Sequence, residues 1–179
     1  MDYYVIGISP PDPLYGQVVN FQMGKACALV EPHITIKAQC GLVDPPYWTE
    51  KVRAICISTP PFPARVGDVF RFGSDVIYLG VESPGLISLH KCLVNAISPT
   101  KEENERYHEM EDFIPHLTLA QNIPGREIEN FEDVVSEARS RFVAPSKIMC
   151  RSVKIYRSSS QFGQYRVFKE YRLGEESRH

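Results

Sequence analysis

Apolar and polar positions along this chain switch between a period of two and a period near 3.6, and the switches divide it into strands and helices. Tyr3 to Ile8 is aromatic and β-branched and stops at Ser9-Pro10-Pro11, where missing amide donors end strand pairing, so it reads as a first strand. Asp12 offers a cap with Pro13 at the first helical position, and Leu14, Val18 and Phe21 recur along one face, predicting a helix to about Cys27. From His33 to Gln39 the period returns to two. Ile34, Ile36 and Ala38 share one face, while His33, Thr35, Lys37 and Gln39 share the other. Asp44 and Pro45 repeat the cap signature before a stripe of Trp48, Val52 and Ile55, which Pro60-Pro61-Phe62-Pro63 breaks.

Val66 to Phe72 and Val76 to Glu82 are β-like runs around Gly73-Ser74-Asp75, readable as a hairpin or as strands of different sheets. After Ser83-Pro84, Leu86, Leu89, Leu93 and Ile97 mark a third helix. Lys101 to Asp112 is charged without an apolar stripe, which predicts a solvated loop or frayed helix, or alternatively a flap beside a cleft. His116 to Gln121 is again a strand, and Ile128, Phe131, Val134, Ala138 and Phe142 outline a fourth helix. Ile148 to Tyr156 and Tyr165 to Leu173 close the chain as strands around the turn-rich Ser158 to Gly163.

This order contains a repeat. Strand, helix, His-bearing strand, helix, strand occurs in residues 3–72 and again in 76–156, with an extra strand at 165–173. Both halves place Pro-His-aliphatic-Thr-aliphatic at the same point, as Pro32-His33-Ile34-Thr35-Ile36 and Pro115-His116-Leu117-Thr118-Leu119. A second chance match has a probability on the order of 10⁻³. Length adds that 179 residues suit one bilobal domain over 1–179. With 43 % hydrophobic and 23 % charged residues, disordered and coiled-coil classes are excluded, and a net charge of −2 removes the signature of a protein that coats long nucleic acid. Five cysteines without a CxxC pair argue against a disulfide framework or zinc ribbon. An acid at position 2 and the lack of a long apolar run predict a cytoplasmic protein with no membrane partner, expected to be a monomer.

Alternation puts His and Thr of each motif on one side of a strand while the aliphatics anchor the other. Two imidazoles around one phosphodiester supply a general base for the attacking hydroxyl or water and a general acid for the departing ribose oxygen. Threonine hydroxyls donate to the non-bridging oxygens, and the scheme uses no metal or cofactor. HITI at 33–36 and HLTL at 116–119 in a duplicated chain resemble the 2H phosphoesterase superfamily, which includes 2′-5′ RNA ligase-like proteins and 2′,3′-cyclic nucleotide phosphodiesterases. The resemblance implies an α+β fold: a duplicated, bilobal arrangement of two antiparallel sheets facing a central cleft, with helices outside. It also implies an enzyme in which His33 and His116 are catalytic and Thr35 and Thr118 bind phosphate. Its partner would be a nucleotide or short RNA with a cyclic phosphate or 2′-5′ linkage.

Lys37 shares the His33 face by alternation and is a further phosphate-binding candidate against a rim lysine; its counterpart is Ala120. Gln121 points to the core unless a bulge turns it. Tyr156 and Tyr165 are candidates for stacking a base. His90, His108 and His179 have no partner in register and read as structural or solvated. Three alternatives stand beside the phosphodiesterase: a phosphate-binding module without turnover, a 2′-5′ RNA ligase running the reverse reaction, and a metal hydrolase. The last lacks paired carboxylate ligands in either motif.

Overall fold

A computed structural model describes residues 2–25, 29–44 and 46–175; Cys27, Pro45 and His179 lie outside them. The strands are β1 (Tyr3–Ile8), β2 (Ile34–Lys37), β3 (Phe62–Phe72), β4 (Val76–Glu82), β5 (His116–Gln121), β6 (Ser146–Cys150), β7 (Ser152–Ser158) and β8 (Arg166–Arg172). The helices are α1 (Leu14–Gln22), α2 (Thr49–Ser58), α3 (Pro84–Ile97), α4 (Lys101–Arg106) and α5 (Phe131–Arg141). The fold is α+β.

All eight strands pair antiparallel, in the order β6-β3-β4-β5-β2-β1-β7-β8. The two sheets expected from the resemblance are present as two four-stranded halves joined where β2 meets β5, through the single pair Ile34↔Leu117. Each half draws strands from both repeat segments. β3 leaves the first segment to pair with β4, and β7 returns from the second to pair with β1. The predicted continuous strand Ile148–Tyr156 therefore divides at Arg151, because β6 pairs with β3 in one half and β7 with β1 in the other. The runs around Gly73 form a hairpin, with β3 extended back through Pro63 to Phe62, ahead of the first β4 pair at Arg65.

One face of the sheet carries the core. Ile6, Ile8, Ile34, Ile36, Leu79, Val81, Leu117, Leu119, Val153 and Ile155 are buried there. The apolar stripes of α1, α2, α3 and α5 join the same cluster. At about 25 cal/mol per Å² of apolar area, this burial is the main force holding the two halves together. α1 ends at Gln22, short of the predicted Cys27, with Gly24 in the left-handed region. Asp44 does not cap α2: its carboxylate accepts from the Tyr4 hydroxyl at 2.6 Å and the Asp2 amide at 2.5 Å. Ser83 does cap α3, accepting from Leu86 N. The charged segment 101–112 is ordered, with a Thr100–Glu103 capping box opening α4. Among the described residues no helix is long and apolar enough to cross a membrane.

Candidate active site

The junction between the two halves builds a cleft of about 370 Å³ whose lining includes His33, Thr35, His116 and Thr118. Register explains their convergence. Thr35 pairs with Gly7, His116 with Gly80 and Thr118 with Tyr78, so all of them project from the face opposite the core. The antiparallel register through Ile34↔Leu117 sets His33 across from Thr118 and Thr35 across from His116. At Gly7 a Cβ would lie 2.8 Å from His33 Cδ2, so the imidazole occupies space that only glycine leaves open.

Each motif is followed by a bulge. On β2, Gly7 pairs with Thr35 and Ile6 with Lys37, leaving Ile36 as the extra residue; on β5, Leu119 is extra between Thr118 and Ala120. A bulge reverses the facing of the residues beyond it. Gln121 consequently turns into the cleft, and Lys37 turns away from it. Lys37 is fully buried and pairs with Glu109 at 2.9 Å, with further bonds to the Cys40 carbonyl at 2.5 Å and Cys40 Sγ at 3.1 Å. It is neither a phosphate ligand of the cleft nor a rim lysine.

Both imidazoles are oriented in the same way. His33 Nδ1 lies 2.8 Å from the Glu31 carbonyl, and His116 Nδ1 lies 2.7 Å from the Ile114 carbonyl. A carbonyl only accepts, so each Nδ1 carries the proton and each neutral ring keeps its Nε2 lone pair. Thr35 Oγ1 is 3.0 Å from His33 Nε2 and donates to it in this tautomer. Burial pushes the His33 imidazole from 6.5 down to about 4; the Glu31 carbonyl opposes that shift and His116 adds to it. His116 is lowered too, again by burial, against the pull of the Ile114 carbonyl. Around His116 stand Phe72 and Tyr78, with ring centroids at 5.3 and 5.2 Å.

A family model described as the 2′-5′ RNA ligase superfamily matches residues 10–161. The chain belongs to that superfamily. The match spans both HxTx motifs, and the chain is accordingly an enzyme of the 2H phosphodiesterase or 2′-5′ RNA ligase-like type. A protein of Halalkalibacterium halodurans named as a candidate phosphoesterase is 27 % identical over 180 residues, covering 97 % of this chain and 98 % of its own. TT0787 of Thermus thermophilus superposes with a TM-score of 0.67 at 16 % identity, covering 97 % of this chain and 99 % of its own. LigT of E. coli, solved with 3′-AMP, does so with a TM-score of 0.62 at 20 % identity and the same coverage. Those two likenesses concern the fold.

Other residues of this superfamily site differ from the sequence expectation. Tyr156 is not free to stack a base. It is fully buried under the 29–33 segment, its ring 5.3 Å from His33 and its hydroxyl 2.9 Å from Ser9 Oγ and 3.0 Å from Glu31 Oε1. Tyr165 does line the cleft, but it is 6 % exposed and its hydroxyl accepts from Gln39 Nε2 at 2.6 Å, which leaves it a wall more than a stacking platform. His90 is structural: Nδ1 donates to the Ile36 carbonyl, Nε2 accepts from Met110 N, and the ring stacks on Phe113. His108 is exposed.

Sequence reasoning missed several neighbours. Glu31 accepts from Ser9 at 2.8 Å and Lys154 at 2.6 Å behind His33, and these bonds hold its carboxyl below the usual range against its partial burial. Glu109 accepts from Lys37 and from Ala38 N at 3.0 Å, tying the segment that carries Tyr107 to the end of β2. Gln22, Gln39, Tyr107 and the exposed Phe162 line the cleft. Period two flagged Gln39, and aromatic character in a turn could have flagged Phe162. Nothing local marks Glu31 or Glu109, whose partners lie far away in sequence. Among the described residues no group of three or more His, Cys, Asp or Glu side chains is placed to hold a metal ion.

Proposed function

We propose that this protein opens a 2′,3′-cyclic phosphodiester, or cleaves a 2′-5′ linkage at a nucleotide or RNA end, by acid–base catalysis between His33 and His116. The observation that carries the reading is the pair of imidazoles in one cleft, each anchored at Nδ1 by a carbonyl two residues earlier. His33, held neutral by burial and by the Thr35 hydroxyl, takes the proton from the attacking water. His116, protonated when the anionic substrate arrives, gives its proton to the ribose oxygen that leaves phosphorus. Thr118 and Thr35, whose hydroxyl swings from His33 Nε2 to the phosphate when substrate enters and so frees that lone pair for the water's proton, donate to the non-bridging oxygens as charge develops on them. LigT, a relative in fold, has been solved with 3′-AMP, which favours a nucleotide for this cleft as well.

The test is a panel of 2′,3′-cyclic nucleotides, ADP-ribose cyclic phosphate and 2′-5′-linked dinucleotides, assayed with EDTA present. Turnover of at least one, abolished by His33→Ala and by His116→Ala, supports the reading. Binding without turnover favours the phosphate-binding module, and turnover that EDTA abolishes and a divalent ion restores favours a metal hydrolase.

A further inference from the structure

The face that carries His116 continues outward across β4 and β3 as an aromatic surface that the proton-transfer scheme leaves unused. Phe72 and Tyr78 stack at 4.3 Å between ring centroids, Phe70 stands 5.8 Å from Tyr78, and both Phe72 and Tyr78 pack against His116. Two features of the chain put them there. Asp68, with φ +54°, is the extra residue of a bulge between Gly67 and Val69, and the bulge turns Phe70 and Phe72 onto the cleft face. Gly80, paired with His116, then leaves room above its backbone for Phe70, whose Cε2 lies 2.8 Å from where a Cβ would be.

The first half fills the matching position differently. There the register runs Thr35–Gly7–Lys154 as it runs Thr118–Tyr78–Phe70 in the second half, and Lys154 is tied down by Glu31 at 2.6 Å. Phe70 is 52 % exposed. An exposed ring seated on a glycine, continuous with a catalytic imidazole, is a stacking platform for a flat group attached to the phosphate that His116 serves. Phe162 and Tyr165 stand across from His116, on the other half of the cleft it lines.

The geometry points to a second nucleobase subsite at Phe70, with Tyr78 and Phe72 as its base, that holds the nucleoside on the His116 side of the scissile phosphate. This rests on the proposed phosphodiesterase reading and narrows it: the preferred substrate carries a base on each side of the phosphate, as a 2′-5′-linked dinucleotide does and a cyclic mononucleotide does not.

The probe is 2′-5′-linked diadenosine monophosphate, with 2′,3′-cyclic AMP as the one-base comparison. Aromatic–base stacking predicts that Phe70→Leu binds the dinucleotide about tenfold more weakly than wild type by calorimetry, and that Phe70→Trp restores affinity. The natural Trp48 is buried in the core. Fluorescence added by Phe70→Trp should therefore be quenched by the dinucleotide much more than by 2′,3′-cyclic AMP. Equal dinucleotide affinity in wild type, Phe70→Leu and Phe70→Trp, or no quenching, overturns the subsite, as does failure of wild type to bind the dinucleotide. Quenching and the affinity loss without any turnover would leave the subsite standing and sink the phosphodiesterase reading; turnover of cyclic nucleotides without either signal would do the reverse.

Discussion

The two motif strands share a letter pattern and a geometry, yet they stand in different surroundings. Each histidine follows a proline, donates from Nδ1 to the carbonyl two residues earlier, and sits beside a glycine of the neighbouring strand, Gly7 or Gly80. Each threonine is followed by a bulge. Behind His33, however, lies a closed polar cluster of Glu31, Lys154, Tyr156 and Ser9, while His116 is flanked by an aromatic surface open at Phe70. Beyond the bulges, Lys37 enters a buried pair with Glu109 where the second half has only Ala120. Duplication supplies two equivalent imidazoles, both lowered by burial, and under the proposed mechanism their differing surroundings would let one serve as base and the other as acid.

The largest expected effect tests what the halves have in common. His33→Ala and His116→Ala should each lower turnover of a 2′,3′-cyclic nucleotide by about 10² to 10⁴, and the double variant should fall little further because the two act as a unit. Next comes the point where the halves differ most. Lys37→Met leaves the Glu109 carboxylate buried without its cation, and urea unfolding should show a loss of about 3–5 kcal/mol. Lys37→Met combined with Glu109→Leu should recover much of that loss, which a Lys37 acting in catalysis would not predict.

The threonines sharpen the comparison further. Thr35→Ala and Thr118→Ala should each cost about 10² in kcat through the lost donor. Thr35→Ala should in addition move the acidic limb of the pH–rate profile upward, because the hydroxyl that favours neutral His33 is gone. A last effect is on stability. With His33, His90 and His116 all below 6.5 in the folded state, the unfolded chain binds more protons between pH 6.5 and about 4, so unfolding free energy should fall as pH drops through that window. His33→Asn should flatten the slope.

Much of this was legible along the chain. Alternation put His33 with Thr35 and His116 with Thr118 on one face, and the repeat put the two pairs in equivalent places; the structure brings all four into one cleft. What alternation cannot supply is a change of register. The bulges at Ile36 and Leu119 arise from pairing with β1 and β4, and they are why Lys37 reads as a cleft residue in sequence and is buried in the fold. The same holds for Phe70, which the bulge at Asp68 rotates onto the sheet face that carries His116. Glu109 lies in a charged stretch without an apolar stripe, and its burial depends on a lysine 72 residues away. Tyr156 does lie beside His33, but the segment that covers it leaves no trace in strand periodicity.

The central claim is acid–base catalysis divided between two histidines of lowered pKa, and the most direct measurement is the pH dependence of kcat/KM for 2′,3′-cyclic AMP in EDTA. His33 must be neutral, so the rate should rise through an acidic limb near 4; His116 must be protonated, so the rate should fall through an alkaline limb below 6.5. The account predicts a bell with its maximum between those limbs, missing the alkaline limb in His116→Ala. A rate that climbs steadily through neutral pH, or one that EDTA abolishes, would contradict it.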